Sequence, residues 1–267
     1  MIKLIVTDVD GTLLDNNSEL SSLNKKAIFE SRKKGIEVIL ATGKSICSIL
    51  YLIKLFGLKL PQITLNGAVI IDKDLEIINV IKLEPRYYLE AIKTIKKKGY
   101  SPLVALINGK IFFEKYHPDM DHIIKVEPKI TKTENIETEY FSSNAANVHI
   151  AIEETDPLDS YLRKKFSGKI NFIRSGKYYF DMLNLDASKG NALAILLKKL
   201  NITKDEIVVF GDSYNDLSMF KESGLNVAVR NSYPEVLKQA DIITEENNNS
   251  GFGKAIYRHI LGGRNSI

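Results

Sequence analysis

The chain has 267 residues, 44% hydrophobic and 26% charged, which fits an ordinary globular protein with room for one large domain or two small ones. No apolar stretch approaches the roughly 20 residues of a membrane helix, and the N-terminus lacks the apolar region and cleavage site of a signal peptide, so a cytoplasmic protein is expected. A net charge of +4 without an aromatic-interleaved basic stripe or zinc-finger spacing points away from nucleic acid, and the single Cys47 excludes an intrachain disulfide.

The predicted elements alternate strand and helix over the first eighty residues. Ile2–Thr7 reads as a strand. Ser21-Ser22 caps a helix that runs to Lys34 and ends at Gly35, and Ile36–Ala41 is a second apolar run. Ser45–Phe56 is a helix stopped by Gly57; within it, Cys47 reads as a small buried hydrophobe. Ile63–Leu65, Ala68–Ile71 and Leu75–Ile81 follow as short strands around Asn66-Gly67. This rhythm predicts parallel strands covered by helices.

The middle of the chain differs. Pro85–Lys98 reads as a helix with proline in its first turn. Shorter alternating runs follow at Leu103–Ile107, Lys110–Lys115, Asn147–Ile152, Lys169–Ile173 and Tyr178–Met182. Residues 116–145, polar and carrying Pro118 and Pro128, read as a connecting segment. The rhythm then resumes with a helix at Lys189–Leu200, a strand at Ile207–Phe210 and a helix at Asp216–Glu222. A strand at Leu225–Val229, a helix at Pro234–Gln239, a strand at Ile242–Thr244 and a helix at Gly253–Leu261 complete it. The predicted architecture is α/β: a Rossmann-like parallel core from 1–81 and 184–267, with an α+β insert over 82–183.

Three apolar strands end in polar groups. After the first stand Asp8-Val9-Asp10-Gly11-Thr12. Two carboxylates so close repel each other and call for a cation; the alternative for the pair alone is a turn after a strand, with Asp8 as a cap. After the second come Thr42-Gly43-Lys44, where a hydroxyl, a glycine and a helix start suit an anion. After the third comes Gly211-Asp212-Ser213-Tyr214-Asn215-Asp216, whose oxygen ligands suit a hard cation such as Mg²⁺. Lys189 stands at a helix start, where the dipole disfavours a cation. Open α/β sheets place ligands at the C-terminal strand edge, so the joint pattern is far more specific than any one part.

Together these motifs resemble the haloacid dehalogenase (HAD) superfamily, in its Cof-like phosphatase branch with a type IIB cap inserted between the second and third motifs. Asp8–Thr12 matches the first motif, Thr42-Gly43 the second, Lys189-Gly190 the third and Gly211–Asp216 the fourth. Asn66-Gly67-Ala68 matches a recurrent loop of the family and is also a hairpin turn signal. Lys44 departs from the arginine common at this position and lacks its planar fork.

The resemblance implies an enzyme that hydrolyses small phosphomonoesters, sugar phosphates or related metabolites, through an aspartyl-phosphate. Asp8 is the expected nucleophile and Asp10 the acid and base. Mg²⁺ is expected on the Asp8 and Asp212 side chains and the Asp10 backbone carbonyl. Thr42, Gly43, Lys189 and Asn215 are expected on the phosphoryl oxygens, with Asn66 as a further phosphate-proximal candidate and Asp216 in support. Lys110, His117, Arg174 and Tyr178 or Tyr179 are the candidate cap contacts, whereas His149 reads as a satisfied core histidine. The alternatives are a phosphomannomutase-like phosphotransferase and a non-catalytic binding or regulatory protein on the same fold. The expected partner is a small phosphorylated metabolite, with neither nucleic acid nor membrane, and a monomer is the default, with a weak homodimer as the alternative.

Overall fold

The computed structural model describes residues 1–127 and 129–262, and of residues 122 and 126 the backbone only. In chain order the strands are β1 (Leu4–Thr7), β2 (Glu37–Leu40), β3 (Gln62–Thr64), β4 (Val69–Ile71), β5 (Ile77–Val80), β6 (Leu103–Leu106) and β7 (Ile111–Phe113). Next come β8 (Ile130–Lys132), β9 (Ala145–Ala151), β10 (Asn171–Gly176), β11 (Tyr179–Leu183), β12 (Ile207–Gly211), β13 (Leu225–Val229) and β14 (Ile242–Thr244). The helices are α1 (Ser22–Lys33), α2 (Ile46–Phe56), α3 (Pro85–Lys97), α4 (Asp121–Val126) and α5 (Glu139–Asn144). They continue with α6 (Pro157–Lys165), α7 (Lys189–Leu200), α8 (Leu217–Phe220), α9 (Pro234–Gln239) and α10 (Gly251–Ala255).

Both ends of the chain meet in a parallel sheet of order β14-β13-β12-β1-β2. Its strands are mostly apolar because helices cover both faces. Ile5, Val38, Leu40, Val208 and Phe210 pack with Ile28, Leu52 and Phe252 of α1, α2 and α10. The alternate residues Leu4, Val6, Ile39, Ile207 and Val209 pack with Leu193, Leu196, Met219 and Val236 of α7, α8 and α9. Leu4, Ile5 and Val6 are fully buried, each worth roughly 1.5–3 kcal/mol, and that burial anchors the charged loop that follows them. From β1 the chain winds toward β2, and from β12 toward β13 and β14. The order therefore reverses between β1 and β12, and the crevice at such a reversal is where open sheets hold ligands.

β3, β4 and β5 depart from the predicted parallel arrangement. They form an antiparallel sheet of their own, joined to the parallel one by a single bridge between Ala41 and Ile63. The cause is local. Leu65, Asn66 and Gly67 all have positive φ, 49°, 54° and 90°, so the chain turns back within four residues, far too few for a parallel crossover.

The second large sheet, of order β10-β11-β9-β6-β7-β8, is formed by the middle of the chain. It is antiparallel except for the β7–β8 pair. On one face Val104, Leu106, Val148, Ile150, Phe180 and Met182 pack against Tyr88, Ile92, Phe141, Leu158 and Leu162 of α3, α5 and α6. The other face looks onto the tips of β1, β2 and β12. The segment expected to be a polar connection contains α4, β8 and α5, and α6 was also missed; Pro128 lies outside the described residues. α6 did carry a start signal, since Asp156 accepts from the Leu158 amide just before Pro157 at the first helical position. Cys47 is only partly buried.

Candidate active site

The loop after β1 is stitched to the loop after β12. The Asp8 amide donates to the Phe210 carbonyl at 3.0 Å. Thr12 Oγ1 donates to Asp212 Oδ1 at 2.7 Å. Gly11 between them has φ +74°, and a Cβ there would lie 2.7 Å from Asp212 Oδ2; glycine is what lets the two loops approach.

Lys189 enters this junction from the start of α7, where Ser188 caps the helix by accepting from the Asn191 amide. Its Nζ donates to Asp8 Oδ1 at 2.8 Å and to Asp216 Oδ1 at 2.7 Å. The other oxygen of Asp216 accepts from the amides of Asp212 and Ser213, at 2.9 and 3.0 Å. Both oxygens of Asp216 are thus committed to holding Lys189 and the loop, whereas the three-proton ammonium of Lys189 keeps one proton free of these two bonds.

The electrostatics follow from burial. Burial pushes the Asp8 carboxyl up to about 7, with Lys189 opposing and Asp216 and Asp10 adding to it. Asp212 is held well above the usual carboxylate range by burial first, then by Asp8 and Asp216. Burial alone would lower Lys189, but Asp216 and Asp8 together hold it above its ordinary range. One buried ammonium faces three carboxylates whose ligand atoms lie within 4.8 Å of one another. The donor set is all oxygen, the repulsion is relieved by positive charge, and a hard divalent cation such as Mg²⁺ fits it. Since Asp216 is committed elsewhere, Asp8 and Asp212 are the carboxylates left for that cation.

The remaining expected residues surround this centre. Thr42 is buried, and its Oγ1 accepts from the Lys44 amide at 3.1 Å. The Asp10 side chain is half-exposed, with Lys44 Nζ 3.2 Å from its Oδ1. Asn215 Nδ2 donates to Asn66 Oδ1 at 2.9 Å, and Asn66 Nδ2 donates to Asp181 Oδ2 of the second sheet at 2.9 Å. Asn66 is therefore a bridge. Its amide oxygen and one amide proton are committed to Asn215 and Asp181, which leaves one amide proton outside these two bonds.

A cleft of about 680 Å³ separates the strand tips from the second sheet. Asp8, Asp10, Thr42, Gly43, Lys44 and Asn215 line one wall, and Asn147, His149, Tyr179 and Asp181 line the other. Of the expected cap contacts, Tyr179 faces the cleft and Tyr178 does not line it. Arg174 is buried in an ion pair with Asp159 at 2.5 Å and donates to the Ile152 carbonyl. Lys110 and His117 are exposed away from the cleft lining. His149 is not the satisfied core histidine expected. Its Nδ1 lies 2.8 Å from Asp181 Oδ1, while its Nε2 has no hydrogen-bond partner among the described residues. Asn147 and Asp181 escaped the sequence reading. Polar residues two apart at 147 and 149 in an apolar strand were the available signal, because i and i+2 share one face.

A parallel sheet with carboxylates and a lysine at its strand-order reversal, under a second sheet, defines a class of hydrolase. The chain matches the family of haloacid dehalogenase-like hydrolases over residues 5–256, and it belongs to that family. Among its relatives, phosphatase YwpJ of Bacillus subtilis is 26% identical, covering 97% of this chain and 100% of that protein. The 5-amino-6-(5-phospho-D-ribitylamino)uracil phosphatase YcsE of the same organism is 28% identical over 97% of this chain and 96% of its own. A haloacid dehalogenase-like hydrolase from Bacteroides thetaiotaomicron superposes with a TM-score of 0.86 at 28% identity, covering 97% of this chain and 99% of that one. The fold class and the enzyme class expected from the sequence, a phosphoric monoester hydrolase of the HAD type, agree with these findings.

Proposed function

We propose that this HAD-family phosphatase is Mg²⁺-dependent and hydrolyses small phosphomonoesters, sugar phosphates or related metabolites, through an aspartyl-phosphate. The observation that carries the reading is Asp8, a buried carboxylate facing the cleft with Lys189 on one oxygen. The proposed catalytic core is residues 1–81 and 184–267 and the proposed cap is 82–183, a division supported by the strand membership of the three sheets, since all six strands of the second large sheet fall within 82–183. A cytoplasmic location belongs to the same reading; among the described residues no helix is long and apolar enough to cross a membrane.

In the first step a carboxylate oxygen of Asp8 attacks phosphorus, the bond to the leaving oxygen breaks, and Asp10 gives that oxygen its proton. In the second, Asp10 takes a proton from water, the water oxygen attacks the acyl phosphate, and Asp8 and inorganic phosphate are released. The two carboxyls suit these opposite tasks because Asp8 is buried against Lys189 while Asp10 stands half-exposed at the cleft beside Lys44. Lys189, Thr42, the Gly43 amide and Asn215 hold the phosphoryl oxygens, and Asp216 keeps Lys189 in place. The Asp8 and Asp212 side chains and the Asp10 carbonyl would hold Mg²⁺, which when bound neutralises charge developing on the phosphoryl group.

The test is Asp8→Asn. Phosphate release from a panel of sugar phosphates, nucleotides and phosphorylated cofactors should fall below detection while the circular dichroism spectrum is unchanged. Wild-type-like turnover in that variant overturns the assignment.

A further inference from the structure

The proposed reaction draws on the tips of β1, β2 and β12 and the start of α7, and leaves the tips of β13 and β14 without a task. Beyond each of these tips stands an asparagine, Asn231 and Asn247, that reaches past β12 to the loop after β1. That loop needs outside support. Asp10 and Gly11 depart from helical angles within the wide turn Val9–Leu13, which closes on a bond from the Leu14 amide to the Val9 carbonyl at 2.8 Å. Gly11, at φ +74°, has no side chain to restrain the peptides on either side of it. So short a turn leaves its last carbonyls without helical partners, and three carboxamides supply them. Asn231 Nδ2 donates to the Gly11 carbonyl at 2.9 Å, Asn24 Nδ2 to the Leu13 carbonyl at 2.8 Å and Asn247 Nδ2 to the Leu14 carbonyl at 3.1 Å.

The three are not equivalent. Asn24, on α1, also accepts from the Gly253 amide at 2.9 Å, and so joins α1 to α10 as well as to the loop. Asn231 and Asn247 act as a pair. The Asn247 backbone amide donates to Asn231 Oδ1 at 2.9 Å, which turns Asn231 Nδ2 toward Gly11. Asn247 is itself buried, and its Nδ2 also donates to Asn16 Oδ1 at 3.0 Å. Asp8 is held independently, its amide on Phe210 and its carboxylate on Lys189. The half-exposed Asp10 side chain has only the ion pair with Lys44 to steady it, so its place rests on the backbone that carries it.

We propose that Asn231 and Asn247 are positioning residues of the proposed reaction: by pinning the loop carbonyls that follow Asp10, they aim its carboxyl at the leaving oxygen. Neither touches the reacting atoms. The inference rests on the phosphatase reading for the task of Asp10, while the pinning itself is measured without turnover.

The experiment compares Asn231→Ala and the isosteric Asn231→Asp with the wild type on p-nitrophenyl phosphate and glycerol 2-phosphate. Nitrophenolate departs without a proton and an alkoxide requires one, and kcat/KM reports the step in which the leaving group departs. A proton delivered by a well-placed side chain is worth about 10²–10⁴-fold, so a misaimed Asp10 should lower kcat/KM on glycerol 2-phosphate roughly tenfold more than on the nitrophenyl ester. Asn231→Asp keeps the shape but cannot donate to the Gly11 carbonyl, and should not rescue the loss. Deuterium exchange into residues 9–16 should quicken in both variants. Asn231 is exposed, so both are expected to fold; Asn247→Ala should quicken the same exchange, and if it does not fold the Asn231 variants decide. Equal losses on the two esters, or unchanged exchange in the loop, overturns the proposal. If the wild type hydrolyses neither ester, the phosphatase reading falls and takes the task of Asp10 with it, while the exchange still decides whether the asparagines hold the loop.

Discussion

Removing the divalent cation at different pH values probes the charge balance around Asp8 directly. Burial pushes the Asp8 carboxyl up to about 7, against 3.8 for an unburied carboxyl. The folded state therefore binds more protons than the unfolded one between these values, and stability declines as pH rises through that window. The difference between about 7 and 3.8 is worth at most about 4 kcal/mol at 1.36 kcal/mol per pH unit. A cation on Asp8 must displace the same proton. About one molecule in a hundred has Asp8 ionised at pH 5 and about nine in ten at pH 8, so the apparent Mg²⁺ affinity should weaken roughly 100-fold from pH 8 to pH 5. Asp212, raised in the same direction by burial, can only steepen the dependence. The assay is calorimetric titration with MgCl₂ at pH 5, 6, 7 and 8, paired with thermal melts in EDTA and in saturating Mg²⁺. The melting temperature in EDTA should fall as pH rises, and the increment from Mg²⁺ should grow. An affinity independent of pH over this range, or one that tightens on acidification, refutes the reasoning.

Two substitutions test how the centre is held. Lys189→Ala leaves Asp8 and Asp216 buried without their ammonium and should destabilise the fold by about 3–5 kcal/mol in urea unfolding, more at pH 8 than at pH 5, with a loss of about 10²–10³ in turnover. Gly67 abuts Ser188 and Lys189 at the start of α7, and Gly67→Ala places a methyl against the Ser188 carbonyl at a φ of +90°; strain and overpacking together predict a loss of roughly 2–5 kcal/mol, and a change under about 1 kcal/mol in chemical denaturation would falsify this close packing.

The parallel core was legible because its strands are buried on both faces. β1, β2 and β12 read as mainly apolar runs, and each is followed within two residues by its polar groups. The second sheet was legible only in outline. α4 and α5 have six residues each, too few for a helical period to stand out from polar surroundings. β3 to β5 misled because an apolar run of three or four residues is the same whether its neighbour is parallel or antiparallel. Only the positive φ values at 65–67 decide the matter, and Asn66-Gly67 alone hinted at them. His149 misled for a related reason. A histidine between valine and isoleucine reads as core unless the far face of its sheet is known to border a cleft.

The residues that read as isolated in sequence are joined in space, and the joining explains Asn66. It is fully buried and left-handed in φ, an arrangement held by the hairpin around it. It links Asn215, beside Asp216 at the tip of β12, to Asp181, which orients His149 and Asn147. A second tie lies nearby. The buried carboxylate of Glu127 accepts from the Ser45 amide at 3.0 Å, from Ser45 Oγ at 2.6 Å and from Ser48 Oγ at 2.5 Å. These donors sit at the start of α2, directly after Thr42-Gly43-Lys44, where the helix dipole favours an anion. Both ties run from the second sheet and its flanking segment to the loops at the strand tips. Separating the two walls of the cleft breaks both, and each then leaves a carboxylate to be resolvated. The cleft wall formed by the second sheet is thus fastened to the wall at the strand tips through two of the loops that build the latter.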